Sequence, residues 1–157
     1  SEAIILLTEA IKKDPANSRI AMDMTQIFID IGEWQQAKAL FGKLPEADKQ
    51  TDMGKALNSQ LSFIELAAKT EGIEVLNQKL SVNPNDFDAR FDMDLCLVPQ
   101  QQYNEAMDHL FHILKNDAEY KQGAVNELII TITNMIAPVD NDMAQEFRRK
   151  LANVLSN

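Results

Sequence analysis

The sequence predicts an all-α fold of antiparallel helix hairpins stacked one on the next, and three observations carry that prediction. Apolar residues recur at helical spacing along nearly the whole chain, as in Ile20, Met24, Ile27, Phe28 and Ile31, or Tyr103, Ala106, Met107, Leu110, Phe111 and Leu114. Five Gly and five Pro in 157 residues fall below the roughly 12% of average usage, which argues against turn-dense all-β and low-complexity architectures. Breakers sit between the periodic stretches, at Asp14-Pro15, Gly32, Gly42 with Pro45, Gly72, Asn83-Pro84, Pro99 and Pro138. A chain of this length suits one domain, 1–157, and folding hides about two thirds of its unfolded surface, enough for a continuous core.

The breakers divide the chain into about nine helices. The first covers 2–13 and ends at Asp14-Pro15; the second covers 17–31 and stops at Gly32; the third, 33–43, meets Gly42 and Pro45. Residues 48–69 form the longest expected helix, and 72–82 lies between Gly72 and Asn83-Pro84. Helices at 86–98, before Pro99, and at 102–116 follow, then 121–136 before Pro138, and finally 141–155. The stretch 128–133 is rich in β-branched residues and has strand propensity. It reads as helix because Val125, Leu128, Ile129, Ile132 and Ile136 keep one face at period 3.6, and a lone strand has no partner.

The helices repeat. Ala3, Leu7 and Ala10 stand 34 residues before Ala37, Phe41 and Leu44, which stand 69 before Ala106, Leu110 and Ile113. Pro15 precedes Pro84 by the same 69, and Gly72 and Leu76 form a degenerate middle copy, giving a period of 34, 35, 34. A small residue early in the second helix, with larger apolar residues four and seven positions on, resembles the tetratricopeptide repeat (TPR). The small residue lets two helices approach closely and the larger ones fill the seam to the next hairpin. The resemblance implies a TPR-like superhelix: a half repeat at 2–13, hairpins at about 17–43, 48–82 and 86–116, and a C-terminal capping pair at 121–155. Three residues depart from the pattern: Met24 and Thr25 stand where Leu and Gly are usual, and Asp94 occupies a position that favours a small side chain.

Charge and cysteine content narrow the function. The net charge of −9 repels a phosphate backbone and an anionic lipid surface, so neither nucleic acid nor membrane is an expected partner. No apolar run approaches the roughly 18 residues of a membrane span. The lone Cys96 forms no internal disulfide and no four-thiolate zinc site, which fits a reducing compartment. The chain opens on Ser1 without a methionine or a signal-peptide pattern, as expected of a piece of a longer protein.

From Leu76 the sequence becomes more particular. The run from Leu76-Asn77-Gln78-Lys79-Leu80 through Asn83-Pro84-Asn85-Asp86 and Asp88-Ala89-Arg90-Phe91, then Glu105-Ala106, Asp117-Ala118-Glu119-Tyr120, Gly123-Ala124 and Phe147-Arg148-Arg149-Lys150-Leu151-Ala152, resembles the chaperedoxins. These are bacterial cytoplasmic holdases with an N-terminal thioredoxin-like domain and a TPR-like tail. The resemblance covers about 73–155 well, 2–45 by repeat pattern only, and does not place 46–70. It implies a tail that holds unfolding clients and docks the chaperonin, with an upstream thioredoxin-like domain in cis that carries the redox chemistry. The chain itself has no Cys-x-x-Cys and no βαβ pattern, so it is not expected to be an enzyme.

His109 and His112 lie three apart on one helix with Glu105 and Asp108 near, but no third ligand is indicated, and the pair reads as surface decoration rather than a metal site. Cys96, between Leu95 and Leu97, reads as a buried structural thiol. Asp86 and Asp88 read as helix caps, and Asp94, if buried, needs a partner or a raised pKa. No nucleophile–base arrangement or phosphate loop is present, and no cofactor is expected. In the repeat register the inward face of the first helices carries Arg19, Met22, Gln26 and Ile29, then Leu57, Leu61 and Ile64, then Phe91, Leu95 and Val98. This mostly apolar lining suits an amphipathic helix or an unfolded segment and lacks the Lys and Asn that clamp a carboxylate. An open alternative is that the chain's own 121–136 helix fills the groove. Arg148, Arg149 and Lys150 form the one compact basic run, read either as cations favourable to a helix C-terminus or as a contact for an acidic partner. The functional expectation is a non-catalytic interaction domain of a thioredoxin-like chaperone, with a scaffold or adaptor module for one defined partner as the alternative.

Overall fold

The computed structural model describes residues 2–156, which form ten α-helices, with no strand among the described residues. They fall into two compact units, Ser1–Leu61 and Ser62–Asn157.

The first unit opens with α1 (Glu2–Lys13), which packs on α2 (Ser18–Asp30). Asn17 caps α2, its side chain accepting the Ile20 N–H at 3.3 Å. The helix stops where Gly32 takes a left-handed φ of 83°, which only glycine adopts without strain, and the Glu33 N–H closes on the Phe28 carbonyl at 2.8 Å. Helix α3 (Trp34–Gly42) folds back onto α2 with Ala37, fully buried, facing the close approach, while Phe41 and Leu44 fill the space beside it. The expected helix over 48–69 is interrupted. A short α4 (Glu46–Lys49) ends before α5 (Asp52–Ala67), whose start is capped by Thr51: its Oγ1 donates to the Asp48 carbonyl at 2.6 Å and accepts the Gly54 N–H at 3.1 Å. Asp48 in turn accepts a hydrogen bond from the Ser18 hydroxyl at 2.6 Å, pinning α4 to the start of α2.

The second unit takes the end of α5 and then α6 (Ile73–Val82), α7 (Phe87–Leu97), α8 (Tyr103–Asn116), α9 (Ala124–Ile136) and α10 (Asn141–Ser156). A 3-10 turn at Val98–Gln100 carries Pro99 and separates α7 from α8. A second turn, Tyr120–Gly123, precedes α9, so the helix expected from 121 begins at Ala124. Helices α6 and α8 flank α7, α9 packs on α8, and α10 packs on α9 and α8. Most of the deepest core lies here. Of the largest fully buried side chains among the described residues, all but Leu57 belong to this unit, including Leu76, Met93, Leu110, Phe111, Ile129 and Ile132. The β-branched stretch of α9 is helical because Val125, Ile129, Ile132, Thr133 and Ile136 bury one face, each large side chain contributing about 1.5–3 kcal/mol.

The repeat triplets fare unequally. Ala106, Leu110 and Ile113 on α8 are fully buried, as is Ala37 on α3, whereas α1, which carries Ala3, Leu7 and Ala10, contains no buried residue.

Candidate functional site

The ten residues of the expected inward face separate into two groups. Met22, Ile29, Leu57, Leu61, Ile64, Leu95 and Val98 are buried, so these apolar side chains are engaged in packing and do not line an open surface. The physical reason is that helices joined by tight turns leave little room between them, and the larger apolar residues of the inward register are drawn into the seams. Arg19, Gln26 and Phe91 remain at least partly accessible.

In the first unit, Arg19 is exposed and pairs with Asp23 at 3.3 Å one turn on. Gln26 exchanges two amide hydrogen bonds with Gln60, at 2.9 and 2.8 Å, and also donates to Asp30 at 2.9 Å. Gln26 and Gln60 stand one period apart, at matching positions of α2 and α5. Sequence reasoning missed Gln60, although the 34-residue offset from Gln26 was there to find it.

In the second unit, Phe91 belongs to a cluster built from three elements. The N-terminal turns of α7 supply Phe87, Asp88, Phe91 and Asp92; α8 supplies His112; the turn before α9 supplies Tyr120 and Lys121. Asp86 caps α7 through the Ala89 N–H at 3.0 Å, as its position implied. Asp88 has a different role: its carboxylate accepts the Tyr120 hydroxyl. The Tyr120 ring stands edge-on to Phe87 and tilted against Phe91, each with centroids 6.0 Å apart, and the Lys121 ammonium lies 4.4 Å from the Phe91 centroid. Burial raises the Asp92 pKa against the opposing pull of Lys121, and burial with the Asp88 hydrogen bond raises that of Tyr120. The turn at 120–123 thus covers Phe91. Neither Tyr120 nor Lys121 carries a sequence signal of this, because both are ordinary loop residues.

His109 is half-buried and His112 lies nearer the surface, and each has a partner. Arg90, which donates to the Pro84 carbonyl at 2.7 Å, also donates to Nδ1 of the half-buried His109 at 3.2 Å. A guanidinium is donor only, so Nδ1 accepts and His109 is neutral. Burial and the adjacent Arg90 lower its pKa accordingly. His112 is bonded to Asn85 at 3.0 Å and meets the Phe87 ring edge. Both imidazoles are spent on tying α8 to the start of α7. No group of three or more His, Cys, Asp and Glu among the described residues is placed to hold a metal. Cys96 is buried, with its Sγ 3.1 Å from the Thr70 hydroxyl.

The basic run lies in the body of α10, which continues to Ser156 and has no basic residue in its last turn, so the expected dipole role is absent. Instead Lys150 lies over the Phe111 ring at 4.7 Å and 3.8 Å from Asp108, and Arg148 reaches Asn134 at 3.4 Å. No helix of the described residues is long and apolar enough to cross a membrane. Large apolar side chains do reach solvent in the first unit: Ile5 and Leu6 on α1 are 59% and 65% exposed, and Ile31 and Trp34 flank the α2–α3 turn.

Comparison with known proteins bears on these surfaces. A family model described as tetratricopeptide repeat matches residues 66–155, and a second model of the same description matches residues 1–61. The chain is also similar to an uncharacterized protein of Haemophilus influenzae, 26% identical over 156 residues, an alignment that spans 98% of this chain and 70% of that protein.

Proposed function

The chain belongs to the tetratricopeptide repeat family, and from that premise we propose that it serves as the non-catalytic interaction domain of a cytoplasmic thioredoxin-like chaperone. Helix-hairpin repeats of this kind present surfaces to other proteins, so the chain is a protein–protein interaction module. The finer reading is that it holds unfolding clients and docks partner chaperones, the chaperonin among them, while redox chemistry belongs to a thioredoxin-like domain in cis. The observation that carries this reading is the solvent-facing apolar set Ile5, Leu6, Ile31 and Trp34, in a chain whose net charge of −9 keeps it dispersed. Exposed apolar side chains held on folded helices match the transiently exposed apolar segments of an unfolding client.

A second reading, an adaptor for one defined protein segment, draws support from a different observation. Seven of the ten inward residues are buried, and the accessible remainder around Phe91 is compact, aromatic and acidic rather than broadly apolar. Light scattering of a heat-denatured client separates the two. The chaperone reading expects the chain at several-fold molar excess to slow aggregation, and replacing both Ile5 and Leu6 by Ser to weaken that effect. A chain that suppresses nothing leaves the adaptor reading.

A further inference from the structure

The turn Tyr120–Gly123 has a backbone that its own sequence does not favour. Lys121, Gln122 and Gly123 are left-handed in succession, with φ of 49°, 60° and 84°, and only the last is a glycine. Local hydrogen bonds close it: the Tyr120 N–H on the Asp117 carbonyl at 3.1 Å, the Gln122 N–H on Glu119 at 2.8 Å, the Glu119 N–H on the Asp117 side chain at 3.2 Å and the Ala124 N–H on the Lys121 carbonyl. Its side chains are held by the face of α7 beneath them. Asp88 accepts the Tyr120 hydroxyl, Phe87 and Phe91 receive its ring, and Phe91 receives the Lys121 ammonium within the field of Asp92.

Those contacts are the kind a receptor makes with a peptide: a carboxylate for a hydroxyl, aromatic edges for a ring, and an aromatic face with a nearby carboxylate for a cation. They are supplied by a strained surface turn that leads into a helix anchored independently by Val125, Ile129 and Ile132. Releasing the turn therefore costs the core little and relieves the left-handed residues.

We propose that the turn Tyr120–Gly123 is an intramolecular latch on a recognition face of α7, and that the partner displacing it is a protein segment that presents, in a turn, an aromatic residue followed by a lysine. The proposal rests on the chain being an interaction module and adds a regulated site to it. The partner gains access in proportion to the fraction of molecules with the latch open, so its apparent affinity is set by the closed population.

The test uses the full chain and a fluorescein-labelled peptide Asp-Ala-Glu-Tyr-Lys-Gln-Gly, which copies the latch. In a Tyr120→Ala/Lys121→Gly variant the side chains are gone and Gly accommodates the left-handed backbone, so the fold is kept, as checked by circular dichroism. Fluorescence anisotropy is expected to show about tenfold tighter binding of the peptide to the variant than to the wild type, the ratio that a latch closed about nine tenths of the time produces. Adding Phe91→Ala is expected to remove the gain. Equal binding to wild type and folded variant, or none to either, overturns the latch. Client light scattering run on the same two proteins reports the interaction module separately: suppression retained by both, with no peptide binding, removes the latch and leaves the module.

Discussion

At the residue scale, the departures from the repeat pattern have different physical outcomes. Thr25 and Asp94 occupy matching positions, 69 residues apart, and both are fully buried at the close approach of a hairpin. Thr25 satisfies its hydroxyl locally by donating to the Ala21 carbonyl at 2.8 Å. An aspartate cannot do the same while ionised, and neither carboxylate oxygen of Asp94 has a partner among the described residues. Burial therefore raises its pKa well above the ordinary carboxylate range. The sign follows: with the folded pKa raised, the unfolded chain ionises first, so Asp94 favours the fold most below its unfolded pKa of about 3.9 and loses that contribution as pH rises toward the folded value. Replacing Asp94 by Ala is thus expected to stabilise the chain at pH 8 by about 1–3 kcal/mol, with the advantage shrinking or reversing near pH 4, as read by urea denaturation at the two values. A variant less stable than wild type at both would contradict the account. The oddity of Asp94 was legible in the sequence because the repeat register marks its position as small. Gly54 was not legible, since its role depends on the break that sequence alone did not place. A Cβ there would collide with the Asp48 carbonyl oxygen and the Lys49 backbone, so Gly54→Ala is expected to cost about 1–3 kcal/mol despite its better helix propensity. Thermal unfolding measures that loss; a rise in Tm would rule out the close approach.

At the element scale, helix existence was readable from periodicity and breakers, while two boundaries were not. The reading of 48–69 as one helix failed because Thr51 caps a new helix with its hydroxyl, a contact invisible to apolar spacing. The reading of 121–136 started three residues early because Lys121 and Gln122 are held left-handed by tertiary contacts that oppose local propensity. The helical reading of 128–133 stands, and it identifies where α9 is most sensitive. Ile132 is fully buried, so Ile132→Ala is expected to destabilise the chain by about 2–5 kcal/mol, whereas the half-exposed Ile130, on the opposite face, should tolerate Ala within about 0.5 kcal/mol; denaturation of both variants checks the register. For α10 the geometry divides the basic run. Lys150 is engaged with Phe111 and Asp108, while Arg148, bonded to Asn134, and Arg149 are exposed. If the run docks an acidic partner, Arg148→Glu with Arg149→Glu should weaken chaperonin pull-down without a change in Tm, and an unchanged pull-down would exclude those arginines from docking.

At the scale of the whole molecule, the hairpin class and the 34-residue period were legible because they follow from spacing, which each repeat restates. The binding surface was much less so. Register arithmetic assigns a residue to the inward side of a helix but does not say whether packing consumes it, and seven of ten were consumed. What sequence could not anticipate is that accessible chemistry would lie elsewhere: in the exposed apolar residues of α1 and the α2–α3 turn, and in the aromatic and acidic face of α7 beneath its own turn. The acidic character that sets these surfaces is uneven. Residues 84–120 carry eight acids and two bases, whereas 141–157 carry two acids and three bases, so the two stretches differ in the sign of their net charge. Amide hydrogen exchange of the chain with and without a chemically unfolded client protein tests the central claim most directly. The account predicts slowed exchange confined to α1 and the α2–α3 turn, with α9 and the α8 core unchanged; a client that alters exchange nowhere, or only within the buried core helices, would contradict it.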